Sequence, residues 1–98
     1  MNAPDINRSI LRMHVAAIEQ KYPIKIIGLL PRGSVGHMHD VENAVEFLAE
    51  RQEGLSLLGL CGAEGDLGDR LGRPVGIVLT TGLQGEEANE FPRIAQPI

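Results

Sequence analysis

The run Ile24 to Leu30, IKIIGLL, constrains this chain more than any other stretch. Interrupted by Lys25 and seven residues long, it is too short to cross a bilayer. Its β-branched residues favour a pleated, packed surface over a helix, so it reads as a buried strand. A strand of this kind needs neighbours, and the flanking sequence supplies them. Ahead of it, Ile6, Ile10, Met13, Ala17 and Lys21 recur at helical spacing. Asp5 is the expected N-cap of that helix. Tyr22-Pro23 closes it, because the residue before proline avoids the helical region.

After the run, VENAVEFL (41–48) reads as a second strand. Val41, Val45 and Phe47 alternate with Glu42, Ala44 and Glu46, which predicts one dry face and one polar face. RQEGLS turns the chain into a helix over 57–71, capped by Ser56 and stopped by Gly72. Leu57, Leu60, Cys61, Leu67 and Leu71 are its expected inner side. VGIVLT is a third strand, and a last helix follows from Glu86 to about Ala95, with Pro92 expected to kink or shorten it. The fold class is therefore α/β: one domain over 1–98, with a short central mixed sheet of about three strands packed with helices.

At 98 residues such a domain buries roughly 60–65% of the surface its unfolded chain exposes. With one tyrosine, two phenylalanines and no tryptophan, its core has to be aliphatic. The twelve glycines narrow the stability margin. Gly59, Gly62, Gly65 and Gly68 recur every third residue along the second helix. They cost roughly 3–4 kcal/mol against an alanine version. Two readings stand: relaxed exposed positions, or a smooth surface for another chain.

A net charge of −4 without a basic run argues against nucleic-acid binding. The lone Cys61 excludes an intrachain disulfide and fits a reducing compartment. The first eight residues lack the apolar segment of a secretion signal, and no stretch suits a membrane. A cytoplasmic location is expected.

The chemistry-bearing residues gather in GLLPRGSVGHMHDVE (28–42). His37, His39 and Asp40 offer imidazole and carboxylate for a metal. A closed zinc site wants about four protein ligands, however, and the third histidine, His14, lies on the first helix. Two loop histidines are the simpler reading. LLPRGS (29–34) also resembles a thrombin site, but it stands between two strand patterns rather than at a terminus. Phosphate handling is the third reading. Gly28 ends a strand where backbone can approach an anion, and Asp40 and Glu42 at i and i+2 face one side, where they could hold Mg²⁺.

These residues resemble the motif of the minimal nucleotidyltransferases, small members of the DNA-polymerase-β-like superfamily. There a strand ends in Gly-Ser, Arg-Gly follows, and Ser-Asp-x-Asp begins the next strand. Gly28 to Asp40 matches that spacing, and Arg32-Gly33 falls at the Arg-Gly. VEF, GLSLLGL, LGRPVGIV, TTGL and PRIAQPI follow in the family's order, so the resemblance spans residues 10–98. It implies Asp40 and Glu42 as catalytic and metal-binding residues, and Gly28, Arg32 and Gly33 at the nucleotide phosphates. Mg²⁺ and ATP are the implied cofactor and ligand.

Four positions depart from the motif. Leu29 replaces the first serine, His39 the serine before the first aspartate, Glu42 the second aspartate, and Gly76 the third carboxylate, the activator of the attacking hydroxyl. Losing a general base commonly costs about 10²–10⁴-fold in rate. The resemblance thus implies a degenerate member that acts by binding, as the antitoxin-type partner of an all-helical HEPN toxin. The alternative is an active Mg-dependent enzyme moving AMP from ATP to a protein hydroxyl, with Glu46 as substitute base. A further expectation is a homo-oligomer, and a third reading is a nucleotide or metal module built on His37 and His39.

Overall fold

The computed structural model describes residues 7–30, 43–82 and 85–98, with the backbone alone over 86–88. Among them are three helices and three strands in the order α1 (Arg8–Lys21), β1 (Ile24–Leu29), β2 (Val45–Arg51), α2 (Leu57–Leu71), β3 (Val75–Leu79) and α3 (Glu86–Ile94). The strands form one mixed sheet in the order β1-β2-β3. β1 and β2 are antiparallel; β2 and β3 are parallel, joined by the α2 crossover. The α/β class and the short mixed sheet expected from sequence are both present.

α1 starts where Asn7 accepts from the Ser9 and Ile10 N–H groups at 2.9 and 3.2 Å. The cap is thus Asn7; the expected cap, Asp5, lies outside the described residues. The inner face also differs from expectation. Leu11, Val15 and Ile18 are buried, while Ile10 and Met13 are 49% and 61% exposed. Both stripes satisfy helical spacing, and the one that points at the sheet wins.

α2 begins and ends as expected, with the Ser56 hydroxyl accepting from Gly59 N–H at 3.0 Å and Gly72 left-handed at φ 69°. Its inner side is Ala63 and Leu67, flanked by Leu60 and Leu71. Leu57 and Cys61 face outward instead. Asp66 ties α2 to the end of α1, accepting from Lys21 at 2.9 Å and from Arg70 at 3.1 Å. The Lys21 hydrogen bond outweighs partial desolvation and, helped by Arg70, holds the Asp66 carboxyl below the ordinary carboxylate range.

Two apolar clusters sit on opposite faces of the sheet. The larger joins Leu11, Val15 and Ile18 to Phe47, Leu67 and Ile77, among others, under α1 and α2. The smaller joins Leu30 and Leu48 to Phe91 of α3. β2, as the central strand, is covered on both faces: Val45 through Ala49 are all buried, Glu46 included. At Glu46 the predicted polar face is buried instead (Glu42 lies outside the described residues), and the strand lies later than expected, running on to Arg51. α3 runs only two residues past Pro92, whose missing N–H leaves the carbonyl one turn earlier without its helical donor.

Each outer strand is capped by a glutamate from the helix above it. Glu19 accepts from the Ile26 N–H at 2.8 Å, and Glu64 from the Ile77 N–H at 2.7 Å. Both sheet edges thus have a donor satisfied that another chain's strand would otherwise seek.

The glycines of α2 do not form a smooth stripe. A period of three drifts about 60° per step on a helix of 3.6 residues per turn, so Gly59 and Gly68 end on opposite sides. A Cβ at Gly62 would meet the Tyr22 ring at 3.2 Å, and one at Gly68 the Arg73 carbonyl oxygen at 3.0 Å; only at Gly65, of these helical glycines, would it meet nothing. Gly65→Ala should therefore raise stability by about 0.4–1 kcal/mol in urea titration. A loss there would mean that this face is covered by another chain.

Candidate functional site

β1 ends, β2 begins and β3 begins at one end of the sheet, and the chain leaves at Leu30 and returns at Asn43 at that same end. The Leu30 N–H donates to the Glu46 carbonyl at 2.8 Å, and Val45 N–H to the Pro74 carbonyl at 2.9 Å. Asn43 is left-handed at φ 66°, and its carbonyl accepts from the Arg73 guanidinium at 3.0 Å. Any chemistry carried by the 28–42 stretch is tethered here.

Arg32, Gly33, Asp40 and Glu42 lie outside the described residues, as do His37 and His39. Gly28, Leu29, Glu46 and Gly76 lie within them. Gly28 is buried at an irregularity in β1, where the register shifts between Ile26 and Gly28. A Cβ there would stand 2.7 Å from the Gln96 carbonyl oxygen and 3.2 Å from Ala95 Cβ. The close approach that requires glycine is therefore made by the chain's own C-terminal segment.

Leu29 is fully buried in the larger cluster, under α1 and α2. Gly76 lies between Val75 and Ile77, which belong to that cluster, so position 76 faces the opposite, α3 side. It pairs with Glu46 across the parallel ladder. The serine and third-carboxylate positions of the motif thus stand on opposite faces of the sheet, while Gly76 and Glu46 stand side by side. Glu46 is 7% exposed, a carboxylate on a face otherwise lined by Leu48, Val78 and Phe91.

For Mg²⁺, Leu29 and Gly76 offer no side-chain oxygen, and no group of three metal-binding side chains occurs among the described residues. This part of the motif does not fit a two-metal centre of the family's kind.

Two surface hollows lie elsewhere. An open groove of about 630 Å³ runs beside β3 where Gly65 and Gly68 leave α2 without side chains, edged by Cys61, Glu64, Asp69 and Arg73. A smaller recess of about 230 Å³ lies at the start of α2, lined chiefly by Leu55, Leu57, Leu60 and Leu79. Beside it, Leu57 and Leu58 are 77% and 83% exposed. The sequence pattern assigned Leu57 to the core because it shares the helical spacing; the first turn of α2 instead leaves it uncovered. No helix among the described residues is long and apolar enough to cross a membrane.

No protein-family model, curated protein or solved structure matches the chain.

Proposed function

We propose that this chain acts by binding, as a degenerate minimal nucleotidyltransferase-like protein that serves as the antitoxin-type partner of an all-helical HEPN toxin. The observation that carries the binding role is the pair Leu57–Leu58, almost fully exposed beside an apolar recess at the start of α2. Two adjacent exposed leucines next to a hollow suit an amphipathic helix of a partner, which docks by inserting apolar anchors. The buried Leu29 and the bare Gly76 support the same reading, since neither aids phosphate transfer.

Titration with an all-helical HEPN-type protein, if one is encoded beside this chain's gene, tests this. A stable complex is expected, weakened in Leu57→Asp/Leu58→Asp by about 2 kcal/mol per anchor, roughly thirtyfold in Kd for each. Because both side chains are exposed, the variant should keep its melting temperature. No complex, or an unchanged Kd in the variant, would end this assignment.

One observation favours a second reading. The β2–β3 register sets Glu46 beside the bare Gly76, so Glu46 would substitute for the third carboxylate in an active enzyme that uses Asp40 and Glu42 for Mg²⁺. Calorimetry with a non-hydrolysable ATP analogue and Mg²⁺ separates the two. Binding that vanishes in Asp40→Ala would favour catalysis; no heat from the parent protein would remove it.

A further inference from the structure

The C-terminal segment is a strap around the β1 edge. Leu29 and Gln96 exchange backbone hydrogen bonds at 2.8 Å each way, making an antiparallel bridge outside the sheet. The Gln96 side chain accepts from Arg8 of α1 at 2.8 Å. Ala95 packs with the smaller cluster on the α3 face, whereas Ile98 packs with the larger cluster on the α1 face. Within four residues the chain therefore passes from one side of the sheet to the other, seated in the space that Gly28 leaves open.

The seat is closely shaped, but the unit that fills it is lightly held. Pro97 has no N–H with which to extend the bridge along β1. Phe91 is the deeply buried anchor of α3, in a cluster with two other fully buried residues, Leu30 and Leu48. Gly85 starts α3 in an unusual conformation, φ 60° and ψ −130°, and gives no side-chain cap. Among the described residues, α3 and the strap are held chiefly by one small apolar cluster, one bridge and the Arg8–Gln96 bond, and a unit so held opens more readily than the central sheet. Once it opens, the vacated seat fits one segment best, namely the same segment of a second copy.

We propose that α3 and the strap exchange between two copies of the chain, each copy's Ala95–Ile98 seated on the β1 edge of the other. The Glu19 cap at Ile26 leaves the stretch around Leu29 as the part of the β1 edge that pairs with a further strand. Exchange rebuilds every contact of the monomer across two chains, so concentration drives it without a new interface.

Full-length chains with single cysteines test the exchange in a Cys61→Ser background. One carries Arg8→Cys and the other Gln96→Cys; the two are mixed, concentrated, gently warmed and treated with a short bis-maleimide. The expected result is an 8-to-96 link between chains, seen as a species of twice the chain mass that grows with concentration. A mixture of Arg8→Cys with Gln52→Cys, at the opposite end of the sheet, sets the collisional background. The double variant Arg8→Cys/Gln96→Cys, kept dilute, should link within one chain and shows that the reagent spans the pair. If the double variant links internally while the mixture never exceeds background, exchange does not occur. Links of 8-to-8 or 96-to-96 alone would mean a different dimer and would equally overturn the proposal.

Discussion

Leu29→Ser should destabilise the protein by about 3–5 kcal/mol, the range for emptying a large apolar side chain from a core with poor local collapse. Leu29 is fully buried against α1 and α2, and serine would leave both a cavity and a hydroxyl in apolar surroundings. A domain of this length has about 5–15 kcal/mol of stability in all, so the variant should sit near the edge of folding. Urea titration should show a lower midpoint with an unchanged slope. A loss below about 1 kcal/mol would place Leu29 outside the core and reopen its position to phosphate. This substitution is also the one that restores the resembled motif, which makes the outcome informative. The hydroxyl would point away from Glu46 and Gly76, through the sheet, and gain the protein no catalytic group.

Gly76→Asp, the other motif restoration, should cost about 3 kcal/mol or more near neutral pH, as a second carboxylate placed in a buried site. The new carboxylate would stand beside Glu46 on a buried face, and neighbouring like charges across a ladder repel. Burial and repulsion both raise the pKa of such an acid in the folded state above its unfolded value. The penalty is then full above the folded pKa and fades as pH falls toward the unfolded one, at about 3.9. Thermal melts should therefore show the deficit against the parent protein shrinking on acidification. A deficit that stays constant with pH would point to steric crowding at position 76. A variant as stable as the parent at neutral pH would mean that water reaches this face, and that the Glu46–Gly76 pair is open enough for chemistry.

Both outcomes bear on the functional reading. Catalysis needs groups converging on one reacting atom, and positions 29 and 76 diverge across the sheet. Binding needs only a surface. Leu57 and Leu58 provide an apolar one at the start of α2.

Much of this molecule is written locally. Pro23 stops one helix, Ser56 starts another, and Gly72 ends it in a left-handed conformation. Each depends on a few adjacent backbone groups, so element type and order were legible from the chain alone, and with them the α/β class. Faces were less legible, because they depend on what lies opposite. α1 carries two stripes of valid helical spacing, and only contact with the sheet selects Leu11, Val15 and Ile18 over Ile10 and Met13. β2 alternates in sequence as a half-exposed strand would, yet α3 lies on its second face and Glu46 is buried there.

The candidate site shows the same division. The family resemblance points to Gly28, Arg32, Gly33, Asp40 and Glu42, because a motif's order and spacing are carried by the chain alone. It does not tell which way a side chain points once a strand is irregular. Ile24 and Ile26 face the larger cluster, and unbroken alternation would turn Leu29 the other way, toward the face of Glu46. The register shift between Ile26 and Gly28 inserts one residue and reverses that parity, sending Leu29 into the core. The cause lies far along the chain, where Gln96 bonds to Leu29 and occupies the space beside Gly28. A contact between residues so distant in sequence leaves no periodicity to read, and it exists only once the chain has folded back on itself.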